Sequence, residues 1–311
     1  MQIIKYSKEN KEVWDSFIDS SKNGTFMLKR DYMDYHSDRF EDFSLLFFDD
    51  EKLLAVMPAS KHDNEIRSHG GLTYGGIISS RKMTTPKMLV VFEELNKFLS
   101  SKGIKKLIYK CVPAVYHKYP SDEDLYALYR NDAKLIRRDI STAILLDDKI
   151  RFSELRRRGV KKAVKNGLVV KKSDDYEGYI NLLTDVLEEH HSTKPVHSAQ
   201  ELRLLANKFP ENIKLFASFD GDKMQAGVVI FDTDQTTHAQ YIANSNEGRN
   251  FGALDQVMDY LINEYAKKMK YFDFGISTEQ NGNYLNTGLI SQKESFGGRA
   301  TMYDFYELEL C

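Results

Sequence analysis

The chain has 311 residues, of which 41% are hydrophobic, 12% aromatic and 29% charged, and it holds only 18 glycines and 6 prolines, which excludes collagen-like, low-complexity and linker-rich architectures. Forty-four basic side chains against 46 acidic ones leave a net charge of −2, so a polyanionic ligand has to meet a local patch rather than the whole surface. There is no apolar run of about 18 residues to span a membrane and no signal-peptide core after Met1-Gln2-Ile3, and the cysteines Cys111 and Cys311 are too few for a disulfide framework, so a cytoplasmic chain is expected.

Along the chain, a helix carrying Trp14 and Phe17 opens the first half. Phe48-Asp49-Asp50-Glu51-Lys52-Leu53-Leu54-Ala55 lies between two apolar runs and reads as a β-hairpin with an acidic turn. In Ser68 to Gly76, the glycines Gly70, Gly71, Gly75 and Gly76 permit close backbone approach, with His69 and Tyr74 as polar handles for a substrate; a mobile surface hairpin is the other reading. Thr84-Thr85-Pro86 starts a helix whose Val90, Val91, Leu95, Phe98 and Leu99 share a face, and Gly103 stands where a C-cap belongs. The strand Leu107 to Lys110 precedes Cys111, which reads as a buried, inert thiol. Ile140 to Leu146 is a strand that closes this half.

The second half begins with Arg151 to Lys172, nine bases against the single acid Glu154. Ser153 caps a helix here, Asn166-Gly167 stops it, and Arg157 and Lys161 are candidates for binding phosphates; a solvated charged face is the alternative. A helix with Tyr179, Leu182, Leu183, Val186 and Leu187 leads to His190, His191, Lys194, Pro195 and His197, whose spacing matches no metal motif. Phe219-Asp220-Gly221-Asp222-Lys223-Met224-Gln225-Ala226 then repeats the first hairpin 171 residues later, and Asp232-Thr233-Asp234 reads as a turn. The strand His238 to Ala243, the loop Glu247 to Ala253 and a helix with Leu254, Val257, Met258, Leu261 and Ile262 follow; a small-residue loop before a helix N-terminus is an anion cradle, to which Arg249 adds charge. Tyr271 to Phe274 is an aromatic strand holding Asp273, a carboxylate that is costly there unless paired or functional. Lys293 falls in a loop rich in glycine and aromatics, and Tyr303 to Leu310 closes the chain.

Hairpin, helix and strand recur in one order, so the chain reads as two homologous modules, 1–147 and 148–311. It lacks Gly-x-Ser-x-Gly, Walker A, Gly-x-Gly-x-x-Gly, His-Glu-x-x-His and Cys-x-x-Cys, which removes the hydrolase elbow, nucleotide loops and common metal sites, and no metal is expected.

Arg157 to Gly167 (Arg-Arg-x-x-x-Lys-Lys-Ala-x-Lys-x-Gly), Phe272-Asp273-Phe274-Gly275 and Gly288 to Gly297 (Gly-Leu-x-x-x-Lys-x-x-Phe-Gly), together with the tandem modules, resemble the Fem-like branch of the GNAT acyltransferases. The resemblance covers nearly the whole chain and implies an α+β fold of two tandem GNAT-like modules, each a mostly antiparallel mixed sheet flanked by helices, with a cleft between them. It also implies direct attack of an amine or hydroxyl on an acyl donor, and a closing strand 303–310 that packs on the first module. By position, Arg249, Asn250, Gly252 and Ala253 would hold the pyrophosphate of an acyl-CoA, with Leu254 departing from the usual Gly or Ala. Lys293 would stabilise the oxyanion or the departing group, Asp273 or His238 would help deprotonate the acceptor, and Tyr241 would donate a proton, while His69, Tyr74, Arg157, Lys161 and His197 would bind the acceptor. The expected reaction moves an acyl group from a thioester to an amine or hydroxyl of a cell-envelope or polysaccharide precursor, a nucleotide-linked one among them. Two other readings stand beside it: aminoacyl-tRNA-dependent transfer, which the basic helix favours, and a binding protein on a degenerate acyltransferase fold.

Overall fold

A computed structural model describes residues 1–191 and 195–310, apart from the side chains of His36, Glu189, His190 and His191. Among the histidine-rich candidates, Lys194 and the side chains of His190 and His191 therefore lie outside the described residues, as does Cys311. The chain forms two compact units, one of Met1–Ile140 with Thr278–Tyr284 and Thr301 to the C-terminus, the other of Ser141–Ser277 with Leu285–Ala300.

The first unit opens with β1 (Gln2–Lys5), α1 (Lys11–Ser20) and a short α2 (Arg30–Met33), followed by β2 (Glu41–Asp42) and the hairpin β3 (Leu45–Asp49) and β4 (Lys52–Met57). Next come β5 (Ser60–His62), β6 (Glu65–Arg67), β7 (Ile78–Ser79), α3 (Thr85–Ser101), β8 (Lys106–Lys110) and α4 (Glu123–Arg130). β1, β3, β4 and β7 make one sheet in the order β1-β3-β4-β7, and β8, β6, β5 and β2 neighbour one another in a second. Thr84 precedes the helix and Pro86 lies in its first turn, where a missing N–H costs nothing, so α3 begins where the sequence places it. Its face of Met88, Val91, Phe92, Leu95 and Leu99 is buried against Leu45, Phe47, Leu54, Leu107 and Tyr109 in one core, which also holds the buried thiol of Cys111; burial pushes that thiol well above its ordinary pKa.

The glycine-rich loop has structural causes of its own. A Cβ on Gly75 would lie 2.0 Å from the Ser68 carbonyl oxygen, and Gly76 has φ +74° with the Tyr109 ring 2.7 Å from where its Cβ would stand. Lys110 reaches in and donates to the carbonyls of His69 (2.9 Å), Gly70 (3.3 Å) and Leu72 (2.7 Å), using all three ammonium hydrogens. Burial brings its pKa down to about 8.

β9 (Lys134–Leu145) runs from the first unit into the second. The second unit continues with α5 (Glu154–Lys165), β10 (Val169–Ser173), α6 (Tyr176–His191) and α7 (Ala199–Lys208). After these come β11 (Ile213–Asp220), β12 (Lys223–Asp232), β13 (Thr236–Asn244), α8 (Asn246–Phe251), α9 (Ala253–Asn263) and β14 (Tyr271–Ile276). The last elements are β15 (Thr278–Glu279), β16 (Tyr284–Leu285), α10 (Thr287–Glu294) and β17 (Arg299–Glu309). The sheet of the second unit runs β10-β11-β12-β13-β14-β9; all its neighbours are antiparallel except β13 and β14.

The repeat seen in sequence extends to backbone irregularities. The β3–β4 hairpin shifts register between Phe47 and Phe48, and the β11–β12 hairpin between Ser218 and Phe219, the same place in each copy. Both turns use a left-handed residue, Asp50 at φ 53° and Gly221 at φ 56°.

Two readings of local structure change. Glu247 to Phe251 is helix rather than loop: Ser245 accepts the Gly248 N–H and starts α8, which stops at Gly252 before α9 begins. Lys293 sits on a helix rather than in a loop, because the Asn286 side chain accepts the Leu289 N–H and caps α10.

Gly252 joins α8 to α9 with φ +80°, and a Cβ there would lie 2.3 Å from the Gly159 carbonyl oxygen on α5. That contact, with the Arg156–Asp255 ion pair at 2.9 Å, holds the basic helix against α9. Gly252→Val therefore perturbs folding before it perturbs any ligand: a loss of at least about 1–3 kcal/mol is expected for the left-handed φ alone, measured by urea denaturation, with Gly221→Val as a turn control that lacks the contact.

Candidate active site

The site is built where two neighbouring strands part. β13 and β14 pair in parallel only through Thr236–Tyr271, Thr237–Phe272 and His238–Asp273. β13 shifts register against β12 between Val229 and Ile230, and β14 shifts against β9 between Asp273 and Ile276, with Gly275 at φ +76°. A bulge in each strand bends it away from its former partner.

Side-chain alternation assigns the two faces of this opening. Ala239, Phe272 and Phe274 belong to the apolar core under α9, together with Val257, Met258 and Leu261. His238 and Asp273 alternate with them and so lie on the opposite face, as does Tyr241, which is paired with Val229 and follows the bulge.

On the α9 face lies a cavity of about 580 Å³. Ile242, Leu254, Met258, Phe274, Leu289 and Phe296 give it an apolar lining, and Arg156, Asn244, Arg249, Asp255, Gln292 and Lys293 a polar one. Lys293 is 5% exposed. Its Nζ donates to the carbonyls of Gly275 (2.8 Å) and Ile276 (2.7 Å), satisfying two acceptors of the irregular end of β14. It forms no ion pair with a described carboxylate, Asp273 and Glu294 included. Burial brings its ammonium down to about 8, and the nearby Asp273 carboxylate opposes that fall.

On the opposite face, His238 Nδ1 lies 2.8 Å from Asp273 Oδ2. Ser141 Oγ donates to Asp273 Oδ1 at 2.6 Å and the Gly275 N–H donates to the same oxygen at 3.2 Å. The fully buried carboxylate is thus paid for by an imidazole, a hydroxyl and a backbone donor. The Nδ1 contact with the carboxylate orients the His238 ring and makes Nε2 its second ring nitrogen. His197 Nδ1 and Tyr241 Oη form a second pair at 2.5 Å.

The other sequence candidates divide between the units. Arg249 and Gly252 line the cavity, whereas Asn250 is exposed and Ala253 is fully buried. Arg157 is exposed, pairs with Glu154 and borders a second, smaller cavity of about 280 Å³, and Lys161 is exposed on the same helix. His69 and Tyr74 belong to the first unit and are buried; the Tyr74 hydroxyl donates to Thr25 Oγ1 at 3.1 Å and the His69 Nδ1 accepts the Gly71 N–H at 3.2 Å. Among the described residues no group of three or more His, Cys, Asp and Glu side chains could hold a metal ion.

Sequence reading missed two residues. Ser141 carries no motif, and only the pairing of β9 with β14 brings it to Asp273. Arg156 was hidden in the basic run, although it shares the inward stripe of Gly159 and Ala163 at helical spacing.

For the pyrophosphate of an acyl-CoA the fit is partial. Arg249 and Gly252 are present in the cavity wall, but the side of Gly252 that a close ligand would use is filled by Gly159, and the Asp255 carboxylate stands in the first turn of α9.

With this geometry in hand, comparison with known proteins gives the class. Residues 152–284 match the acetyltransferase (GNAT) domain family. Over nearly the full length the fold is similar to that of FemX, with 13% identity, 98% of this chain and 97% of that one covered, and a TM-score of 0.68. It is similar to L-PGS from Bacillus licheniformis (12% identity, 96% and 91% covered, TM-score 0.61) and to a tandem GNAT protein from the clavulanic acid biosynthesis pathway (9% identity, 100% and 98% covered, TM-score 0.50). No curated protein sequence matches the chain. Residues 152–284 are therefore similar to a GNAT acetyltransferase domain, and the chain has a fold similar to that of FemX and of that tandem GNAT protein.

Lys293 has a consequence for stability versus pH. Its folded pKa of about 8 lies below the ordinary 10.5, so the unfolded chain binds more protons between these values. Stability should rise by up to about 3 kcal/mol as pH goes from about 8 to about 10.5 and lose that gain on the way back down. Lys110 adds a similar increment. Denaturant titrations across this range should show the rise, flattened partly by Lys293→Met and further by adding Lys110→Met.

Proposed function

We propose that the second unit transfers an acyl group from an activated ester or thioester to an amine or hydroxyl of a cell-envelope or polysaccharide precursor. The observation that carries this reading is the position of Lys293, held by two carbonyls at the end of β14, lining the cavity and without a carboxylate partner among the described residues. The donor lies in the cavity with its carbonyl toward Lys293. The acceptor comes from the His238–Asp273 face, and His238 Nε2 takes its proton as the nucleophile attacks. Lys293 in its charged form stabilises the tetrahedral oxyanion, a fixed cation aimed at charge that appears only in the transition state. Collapse of the intermediate breaks the bond to the leaving group, and the Tyr241 hydroxyl, held by His197, supplies a proton to it.

A transfer from aminoacyl-tRNA is supported by a separate observation. Lys161, Lys162 and Lys165 on α5 and Lys172 on β10 are exposed, and none of them forms an ion pair with a described carboxylate. A phosphate backbone is a natural counterpart for such a row.

Incubating the protein with acetyl-CoA or aminoacylated total tRNA, together with nucleotide-linked sugar precursors, and following acceptor mass by mass spectrometry tests the reading. A gain of one acyl group is expected. Lys293→Met should slow it about 100- to 1000-fold with the fold retained, and the wild-type rate should fall as pH rises through about 8, where the lysine loses its charge. A variant as fast as the wild type would overturn the role of Lys293.

A further inference from the structure

Arg156 is held in the cavity wall by two hydrogen bonds and a ring contact. Its Nε donates to Ser295 Oγ at 2.7 Å and its Nη1 to Asp255 Oδ1 at 2.9 Å, while the guanidinium carbon lies 4.7 Å from the centre of the Phe296 ring. The side chain is 17% exposed, and what remains accessible is in the cavity wall. A guanidinium has five N–H donors. Two are taken here, which leaves one on Nη1 and two on Nη2, and an end-on fork uses one hydrogen from each of these nitrogens. A fork of that shape matches the two oxygens of a carboxylate or a phosphate.

Charge points the same way. Among the described residues, the cavity wall holds Arg156, Arg249 and Lys293 against Asp255. Asp255 is itself engaged by Arg156, and burial raises its pKa while the guanidinium pulls it down. The backbone at the start of α9 is a poor alternative reader, because the same Asp255 carboxylate occupies its first turn and α5 covers Gly252.

We propose that Arg156 is the specificity-determining residue of the cavity: its end-on fork binds an anionic group, carboxylate or phosphate, on the molecule that enters there. This inference rests on the reading of the cavity as a substrate site, and it places the anion on a side chain of α5 rather than on the helix N-terminus of α9. A substrate lacking the anion leaves the fork unmatched and is rejected.

The test is binding, not turnover. Calorimetry with inorganic pyrophosphate and with malonate, as phosphate and carboxylate probes, should give saturable binding of at least one to the wild-type protein. Arg156→Lys keeps the charge but loses the fork and should weaken that probe at least tenfold, with an unchanged melting temperature. Arg158→Lys, two residues on and exposed beside Glu154, should bind as the wild type does. Should Arg156→Lys fail to fold, Arg156→Gln with Asp255→Asn replaces the ion pair by a neutral one and should show the same loss. Wild-type affinity in these variants, or no binding of either probe to the wild-type protein, would overturn the proposal. Failure of the acyl-transfer reading looks different: the probes would still bind through Arg156 while no acceptor gained mass.

Discussion

The parting of β13 from β14 after His238 and Asp273 is the constraint on which the second unit's chemistry depends. Two strands that stop pairing expose backbone polar groups, and such groups must find other partners when buried. Lys293 supplies them for Gly275 and Ile276, and the Asp273 side chain accepts the Gly275 N–H. The repair puts an ammonium at one side of the opening and a carboxylate–imidazole pair at the other. Structural need and chemical use coincide in one lysine, whose burial holds it near the pH at which it can change charge.

Around this opening, the helices do separable jobs. α9 supplies the apolar floor through Leu254 and Met258, and α5 is locked to it by the Gly159–Gly252 approach and the Arg156–Asp255 pair. α10 carries Lys293 inward because Asn286 caps its start. Gly227 lets the Tyr179 ring of α6 lie flat on the sheet, since a Cβ there would stand 2.8 Å from the ring. Most of the basic charge of α5 faces outward, so Arg156 alone among its arginines joins the cavity wall while Arg157 and Arg158 share Glu154 at the surface.

Much of this was legible in the sequence where the signal is local. The acidic hairpin turns, the Thr-Pro start of α3, the Ser153 cap and the alternation of Asp273 between Phe272 and Phe274 each follow from two or three neighbouring residues. α8 and α10 were read as loops because their glycines, Gly248 and Gly288, outweigh the caps Ser245 and Asn286 in a pattern reading. The partners of Asp273 were not legible, since Ser141 lies 132 residues away and only strand order joins them. Gly252 was read for its approach to a ligand, whereas the close approach it serves is to Gly159. Nothing local marks where two strands will separate, so the cavity itself had to come from the fold.

The measurement that bears most directly on the account is the titration of the Lys293 ammonium itself, followed by nuclear magnetic resonance of the ¹⁵N-labelled side chain and assigned by its absence in Lys293→Met. The account predicts a midpoint near 8, as burial without an ion pair requires. A midpoint at the ordinary lysine value of about 10.5 would mean that the side chain is solvated or paired with a carboxylate, and would contradict the account.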